Sequence, residues 1–169
     1  MAHVGVKKTV ILALENTGKI PTELGGDFDG MEVSLRDLPA GNAGRLIHAV
    51  TVEEIGDVSS DVLVFTENVV VEFSFIERLL QLPDSNIVVV RKARGRESLR
   101  VLTDEALRVT AILGSIDSKG ASADLSPIGL YKFEPSFLRA IAKLVPVHKR
   151  LFVWGFQGFL STEACFLDA

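Results

Sequence analysis

Three observations in the sequence predict an α/β domain whose sheet is mostly parallel and carries an antiparallel insertion. Asp61-Val62-Leu63-Val64-Phe65 is a short apolar run of the kind that makes a buried strand. After the polar break Thr66-Glu67-Asn68 the apolar residues change spacing: Phe73, Ile76, Leu79 and Leu80 recur at three and four, which predicts a helix. Strand, polar turn and helix make half of a βαβ unit. Alternating strand and helix patterns dominate the first half of the chain, and residues 86–133 are rich in strand patterns.

Taken in order, residues 6–14 (VKKTVILAL) read as a buried strand entered through Lys7 and Lys8. Asn16-Thr17-Gly18 is a turn, and residues 20–24 have room only for a short helix. Gly26-Asp27-Phe28-Asp29-Gly30 reads as a turn-rich loop. Met31, Val33 and Leu35 alternate with polar residues, the mark of a strand with one wet face. The loop Pro39 to Gly44 leads into a helix over residues 45–52, and the central strand and helix follow.

Pro83-Asp84-Ser85 turns into Asn86-Ile87-Val88-Val89-Val90, the most β-branched strand of the chain. Residues 99–103 and 107–112 form a hairpin across Asp104-Glu105-Ala106, and residues 115–126 read as a polar loop. Ile128-Gly129-Leu130-Tyr131-Lys132-Phe133 is a strand, and Pro135 suits the first turn of a helix running to about Leu144. Residues 151–154 make a last strand, and Ser161 or Thr162 with Glu163 opens a closing helix.

The 169 residues suffice for one domain, residues 1–169, with a real core, and 47% hydrophobic content argues for a folded globule. A net charge of −4 gives no global nucleic-acid footprint. The basic cluster Arg91-Lys92-Ala93-Arg94-Gly95-Arg96 is interrupted by Glu97 and reads as a solvated loop, with an anion or partner contact as the alternative. A single cysteine, Cys165, excludes an internal disulfide and fits a reducing compartment; the start of the chain shows no apolar signal region and no run is long enough to span a bilayer. The expectation is a cytoplasmic domain without membrane or nucleic-acid partners.

Residues 13–20 (ALENTGKI) half-resemble a phosphate-binding P-loop, but Ala13 stands where glycine is needed and Ile20 where the magnesium hydroxyl belongs. His3, His48 and His148 have no second ligand at metal spacing, so no metal site is predicted. Cys165 is expected on an apolar helix face as a buried, inert thiol, and no Gly-x-Ser-x-Gly elbow is present. Two loops remain. Gly41-Asn42-Ala43-Gly44 has a glycine at each end, letting backbone approach a ligand and turn N–H groups toward an anion at the next helix start. Glu67 and Asn68 follow a strand at its carboxyl end, where ligands bind in open α/β sheets.

In order and spacing these segments resemble the nucleotidyltransferase superfamily that activates sugar phosphates and phosphocholine. Gly5 to Leu12 is similar to that family's second strand, and Gly41-Asn42-Ala43-Gly44-Arg45-Leu46 to its substrate loop Gly-Thr-Ala-Gly-Ala-Leu. Residues 62–80 resemble its strand, Gly-Asp turn and helix. Ile128 to Phe133 with Pro135, Phe137 and Leu138 resembles its Gly-Ile-Tyr-x-Phe strand and next helix, and residues 159–169 resemble its closing segment. The resemblance implies a three-layer, Rossmann-like sheet truncated at the N-terminus. It also implies a substrate site at Gly41, Asn42, Ala43, Gly44, Glu67, Asn68 and Gly129.

The departures bear on activity. The family's first strand and glycine-rich loop would precede this chain. Glu67-Asn68 stands in place of its metal-binding Asp, and Phe159 or Ser161 in place of its second acidic residue. Magnesium prefers carboxylates and substrate phosphates, and without it the charge on a transferred phosphoryl group goes unneutralised. The sequence therefore predicts no resident cofactor and a non-catalytic subunit or interaction scaffold. The alternative is a working nucleotidyltransferase, using magnesium, whose glycine-rich loop comes from another chain; a plain α/β binding module is a third reading. Loss of a central strand leaves unpaired edges, so self-association or a partner protein is expected at residues 9–14 and 61–65.

Overall fold

The computed structural model describes residues 5–14, 26–28, 30–38, 58–66, 69–94, 99–114, 125–144 and 163–166. Their elements are β1 (Lys8–Leu14), β2 (Gly26–Phe28), β3 (Met31–Leu38), β4 (Val62–Phe65), α1 (Phe73–Gln81), β5 (Ile87–Lys92), β6 (Leu99–Thr103), β7 (Val109–Gly114), β8 (Leu125–Phe133), α2 (Pro135–Leu144) and β9 (Glu163–Phe166). The α/β class expected from the sequence is observed.

The strands form two sheets. One has the order β1-β3-β2, with β1 parallel to β3. The second runs β7-β6-β8-β5-β9, with β4 also paired to β8. Because β4, β5 and β6 all run antiparallel to β8, and β9 runs parallel to β5, these four strands share a direction that β7 and β8 oppose. The antiparallel insertion is thus the β6–β7–β8 stretch, and β8 lies at the centre of the sheet.

Helices cover both faces of the larger sheet, and β5 shows why. Its residues alternate: Val88 and Val90 join Tyr131, Phe133 and, from α2, Phe137 and Leu138 in one core cluster. Ile87 and Val89 join Leu130 and, from α1, Phe75 and Leu79 in the other. Val88, Val89 and Val90 are all 0% exposed, as a β-branched strand between two helical layers should be. Phe133 stacks on Tyr131 and on Phe137, at 5.6 and 5.0 Å between ring centroids.

Several expectations are corrected. Gly26 to Phe28 is a strand, not loop, paired antiparallel with β3 so that Phe28 lies opposite Met31; Gly30 takes φ 80° and its N–H donates to Asp27 Oδ1 at 2.8 Å. The buried face of α1 is Phe75, Ile76 and Leu79, while Phe73 is 40% exposed. At 3.6 residues per turn Phe73 sits about 110° from the middle of that face. Leu125 and Ser126 belong to β8, not to the preceding loop, and Pro127 joins the same strand. Residues 163–166 form a strand, not a helix opening, so Cys165 lies in β9 opposite Val89. Pairing beside β5 outweighs the local helix signal there. The helix expected over residues 45–52 and the strand over 151–154 lie outside the described residues.

Candidate functional site

The carboxyl end of β4 meets an irregularity in β8. Between the pairs Val88↔Tyr131 and Val90↔Pro127, β5 advances two residues while β8 advances four. The surplus forms a bulge around Gly129, next to a proline that has no N–H for the ladder. Gly129 has φ 90°, and a Cβ there would fall on Thr66 Oγ1 and lie 3.0 Å from Val69 Cγ2. Only glycine fits this conformation and this approach.

The bulge fastens the turn after β4. The Gly129 carbonyl accepts the Thr66 N–H at 2.8 Å and the Thr66 hydroxyl at 3.3 Å. Val69 and Val71 are half-buried against the α1 face of the sheet, whereas Val70 is 96% exposed. Glu72 then caps α1 through its backbone, its carbonyl accepting from Phe75 N–H at 3.0 Å and Ile76 N–H at 3.4 Å. The turn is thereby pinned at both ends: at Thr66 by β8, and at Glu72 by the helix start.

Of the residues expected to form a substrate site, Gly129 lies against Thr66 and Val69. Gly41, Asn42, Ala43, Gly44, Glu67 and Asn68 lie outside the described residues. Thr66 was not among the expected site residues; its signal was its position directly after an apolar strand and before two polar residues. Among the described residues no group of three or more His, Cys, Asp or Glu side chains is gathered to hold a metal ion. Thr66 and Val69 bring no carboxylate to the turn, and its one acidic residue, Glu67, lies outside the described residues.

A second polar cluster sits at the opposite end of β4 and β8. Lys132, its side chain 3% exposed, donates to the Leu82 carbonyl at 2.7 Å and pairs with Asp61 Oδ2 at 3.3 Å. Ser85 Oγ donates to the same Asp61 oxygen at 3.2 Å. This cluster closes the carboxyl end of α1 onto the sheet, where a cation suits the helix dipole. On the other face, burial pushes the Tyr131 hydroxyl up to about 12. Both groups are structural; neither lies at the β4 turn.

No family model matches the chain. Solved structures do resemble it. A Bacillus anthracis protein described as a glucose-1-phosphate thymidylyltransferase, in complex with sucrose, superimposes with a TM-score of 0.66 at 13% identity over 94% of this chain and 67% of its own. A UDP-glucose pyrophosphorylase gives 0.66 at 11% identity over 96% and 74%. The inositol-1-phosphate CTP transferase of T. maritima gives 0.66 at 12% identity over 96% and 67%. The fold is that of the sugar nucleotidyltransferases. Identities this low establish the nucleotidyltransferase fold alone. In sequence, the chain is 44% identical over 148 residues to the uncharacterized protein y4rO of Sinorhizobium fredii. That match covers 86% of this chain, which spans only 24% of the relative's length. Among the described residues no helix is long and apolar enough to cross a membrane.

Proposed function

We propose that the chain is a nucleotidyltransferase-type domain serving as a non-catalytic subunit or interaction scaffold. The observation that carries this reading is the turn after β4. Its first residue spends both N–H and hydroxyl on the Gly129 carbonyl, and its sequence, Thr66-Glu67-Asn68, departs from the Gly-Asp turn of the family it resembles. A scaffold keeps such a pinned turn for shape, while phosphoryl transfer needs oxygen ligands for a metal and charge stabilisation at the reacting centre.

One observation favours a second reading. Solved structures that share this fold are described as a glucose-1-phosphate thymidylyltransferase, a UDP-glucose pyrophosphorylase and an inositol-1-phosphate CTP transferase. On that reading a sugar phosphate occupies the carboxyl end of β4, near Gly41 to Gly44, Glu67, Asn68 and Gly129, with magnesium and a glycine-rich loop supplied from elsewhere. Pyrophosphate release separates the two. The chain, given magnesium, each nucleoside triphosphate and a panel of sugar 1-phosphates and phosphocholine, is expected to release none above the blank. Release that depends on one triphosphate and one acceptor overturns the scaffold reading.

A further inference from the structure

Two polar residues are buried among the described residues, Lys132 and Ser126. Lys132 is held by Asp61 and the Leu82 carbonyl. Ser126, 4% exposed, has a different neighbourhood, which the strand registers define. Along β8, Leu125 lies between Lys92 of β5 and Val101 of β6. One step on, Ser126 pairs with Arg91, and the antiparallel register sets Arg100 on its other side. Cross-strand neighbours share a face, so Arg91, Ser126 and Arg100 form a row across three strands. Leu113 of β7, opposite Arg100, ends it.

The row lies on the α1 face of the sheet. Leu125 and Val101 pack into the α2 cluster, so residues one step away point to the other side. On that side Val89 and Ile128, two residues from Arg91 and Ser126, pack with Phe75 and Leu79. The apolar core under α1 therefore gives way, within one side-chain repeat, to two guanidiniums about a serine. Both arginines are half-buried, and Lys92 and Arg94 beyond them are exposed. Residues 91–100 hold Arg91, Lys92, Arg94, Arg96 and Arg100 against the single acid Glu97, in a chain of net charge −4. Arginine stems that merely closed the end of the core would gain more over an apolar side chain than over a hydroxyl.

We propose that this row is a docking site for an acidic segment of a partner polypeptide, whose side-chain carboxylates are taken by Arg91 and Arg100 with the Ser126 hydroxyl between them. This names the partner chemistry for the interaction-scaffold reading and rests on it. A guanidinium pairs with a carboxylate through two parallel N–H···O bonds. Arg91 Nη1 donates to the Lys92 carbonyl at 3.3 Å, and a guanidinium engaged at one edge keeps further donors for a ligand. With β8 between them, the two arginines start about 10 Å apart, a spread that suits successive acidic side chains more than one phosphate. Exposed Lys92 and Arg94 extend the positive edge. Nucleic acid is disfavoured, because the rest of the chain is acidic and repels a polyanion of that length.

Fluorescence anisotropy of a labelled octaglutamate peptide, titrated with the 169-residue chain, tests this. Saturable binding is expected, weakened about tenfold or more in the double variant Arg91→Gln/Arg100→Gln. Lys7→Gln/Lys8→Gln removes the same charge elsewhere and should leave binding within about twofold. Adding the peptide to the unaltered chain should slow hydrogen–deuterium exchange at residues 91–94 and 99–103, which reads the site without any variant. Absence of saturable binding overturns the proposal. So does an equal loss in both double variants, since net charge alone would then be acting, or slowed exchange confined to other segments. Tighter binding of a single-stranded oligonucleotide, or displacement of the peptide by micromolar inorganic phosphate, overturns it in favour of those ligands. Peptide binding does not read pyrophosphate release, so failure here and failure of the scaffold reading are separate results.

Discussion

The Lys132 cluster makes a prediction whose sign is not intuitive: removing the acid should hurt more than removing the base. Lys132 is 3% exposed at its side chain and Asp61 28%. Asp61→Asn leaves a nearly dry ammonium with the Leu82 carbonyl as its one strong acceptor, together with a neutral amide. Removing one partner of a fully buried pair costs about 3–5 kcal/mol. Partial exposure of Asp61 and the amide oxygen that remains reduce this to about 2–3 kcal/mol, or about 1 M in urea midpoint. Lys132→Met removes the charge and keeps the volume. The Asp61 carboxylate left behind reaches water and keeps the Ser85 hydroxyl, so the cost is about 1 kcal/mol or less. The double variant should match Lys132→Met, relieving most of the Asp61→Asn penalty. Urea unfolding followed by circular dichroism reads all four proteins. Additive losses, or a larger loss for Lys132→Met, would refute the reasoning, because the pair would then stabilise by mutual attraction and not merely compensate its own burial.

Gly129→Ala should cost about 2–4 kcal/mol, since it adds a left-handed φ penalty to a collision with Thr66 and Val69. Thr66→Ala should recover about 1–2 kcal/mol of that loss by clearing Oγ1, and a double-mutant cycle showing no coupling would refute the bulge contact. For Tyr131 the hydroxyl ionises near 10.0 in the unfolded chain and about 12 in the folded one. Below pH 10 the group adds no slope; between the two values only the unfolded chain releases the proton, so stability falls as pH rises. The loss reaches about 2–3 kcal/mol at the upper value and should vanish in Tyr131→Phe; an unchanged alkaline limb would contradict it.

The sequence carried the architecture well where one signal ruled. The strand and helix on either side of the Thr66 turn, the β-branched run at Ile87 to Val90 and Pro135 at the start of α2 all reappear. It failed where tertiary pairing decides. Glu163 to Phe166 has a plausible cap and an apolar run for a helix, but it lies in parallel register with β5. The strand expected from Ile128 begins earlier, at Leu125, and the bulge gives Pro127 a place inside it. At the site, the Thr66-Glu67-Asn68 turn was legible as a strand end. The contact that shapes it joins residues 63 apart, Thr66 and Gly129, and no local pattern reports that. Lys132 likewise gave no sign of burial, because its partners Asp61 and Leu82 come from other elements.

The central claim is that this nucleotidyltransferase fold serves as a scaffold without the chemistry of its structural relatives. Calorimetric titration of the purified chain with magnesium and each of CTP, UTP, GTP and dTTP, followed by sugar phosphates, tests it most directly. The account predicts no heat beyond dilution across the panel. Saturable micromolar binding of one triphosphate, strengthened by magnesium, would contradict it and bring the enzyme reading forward.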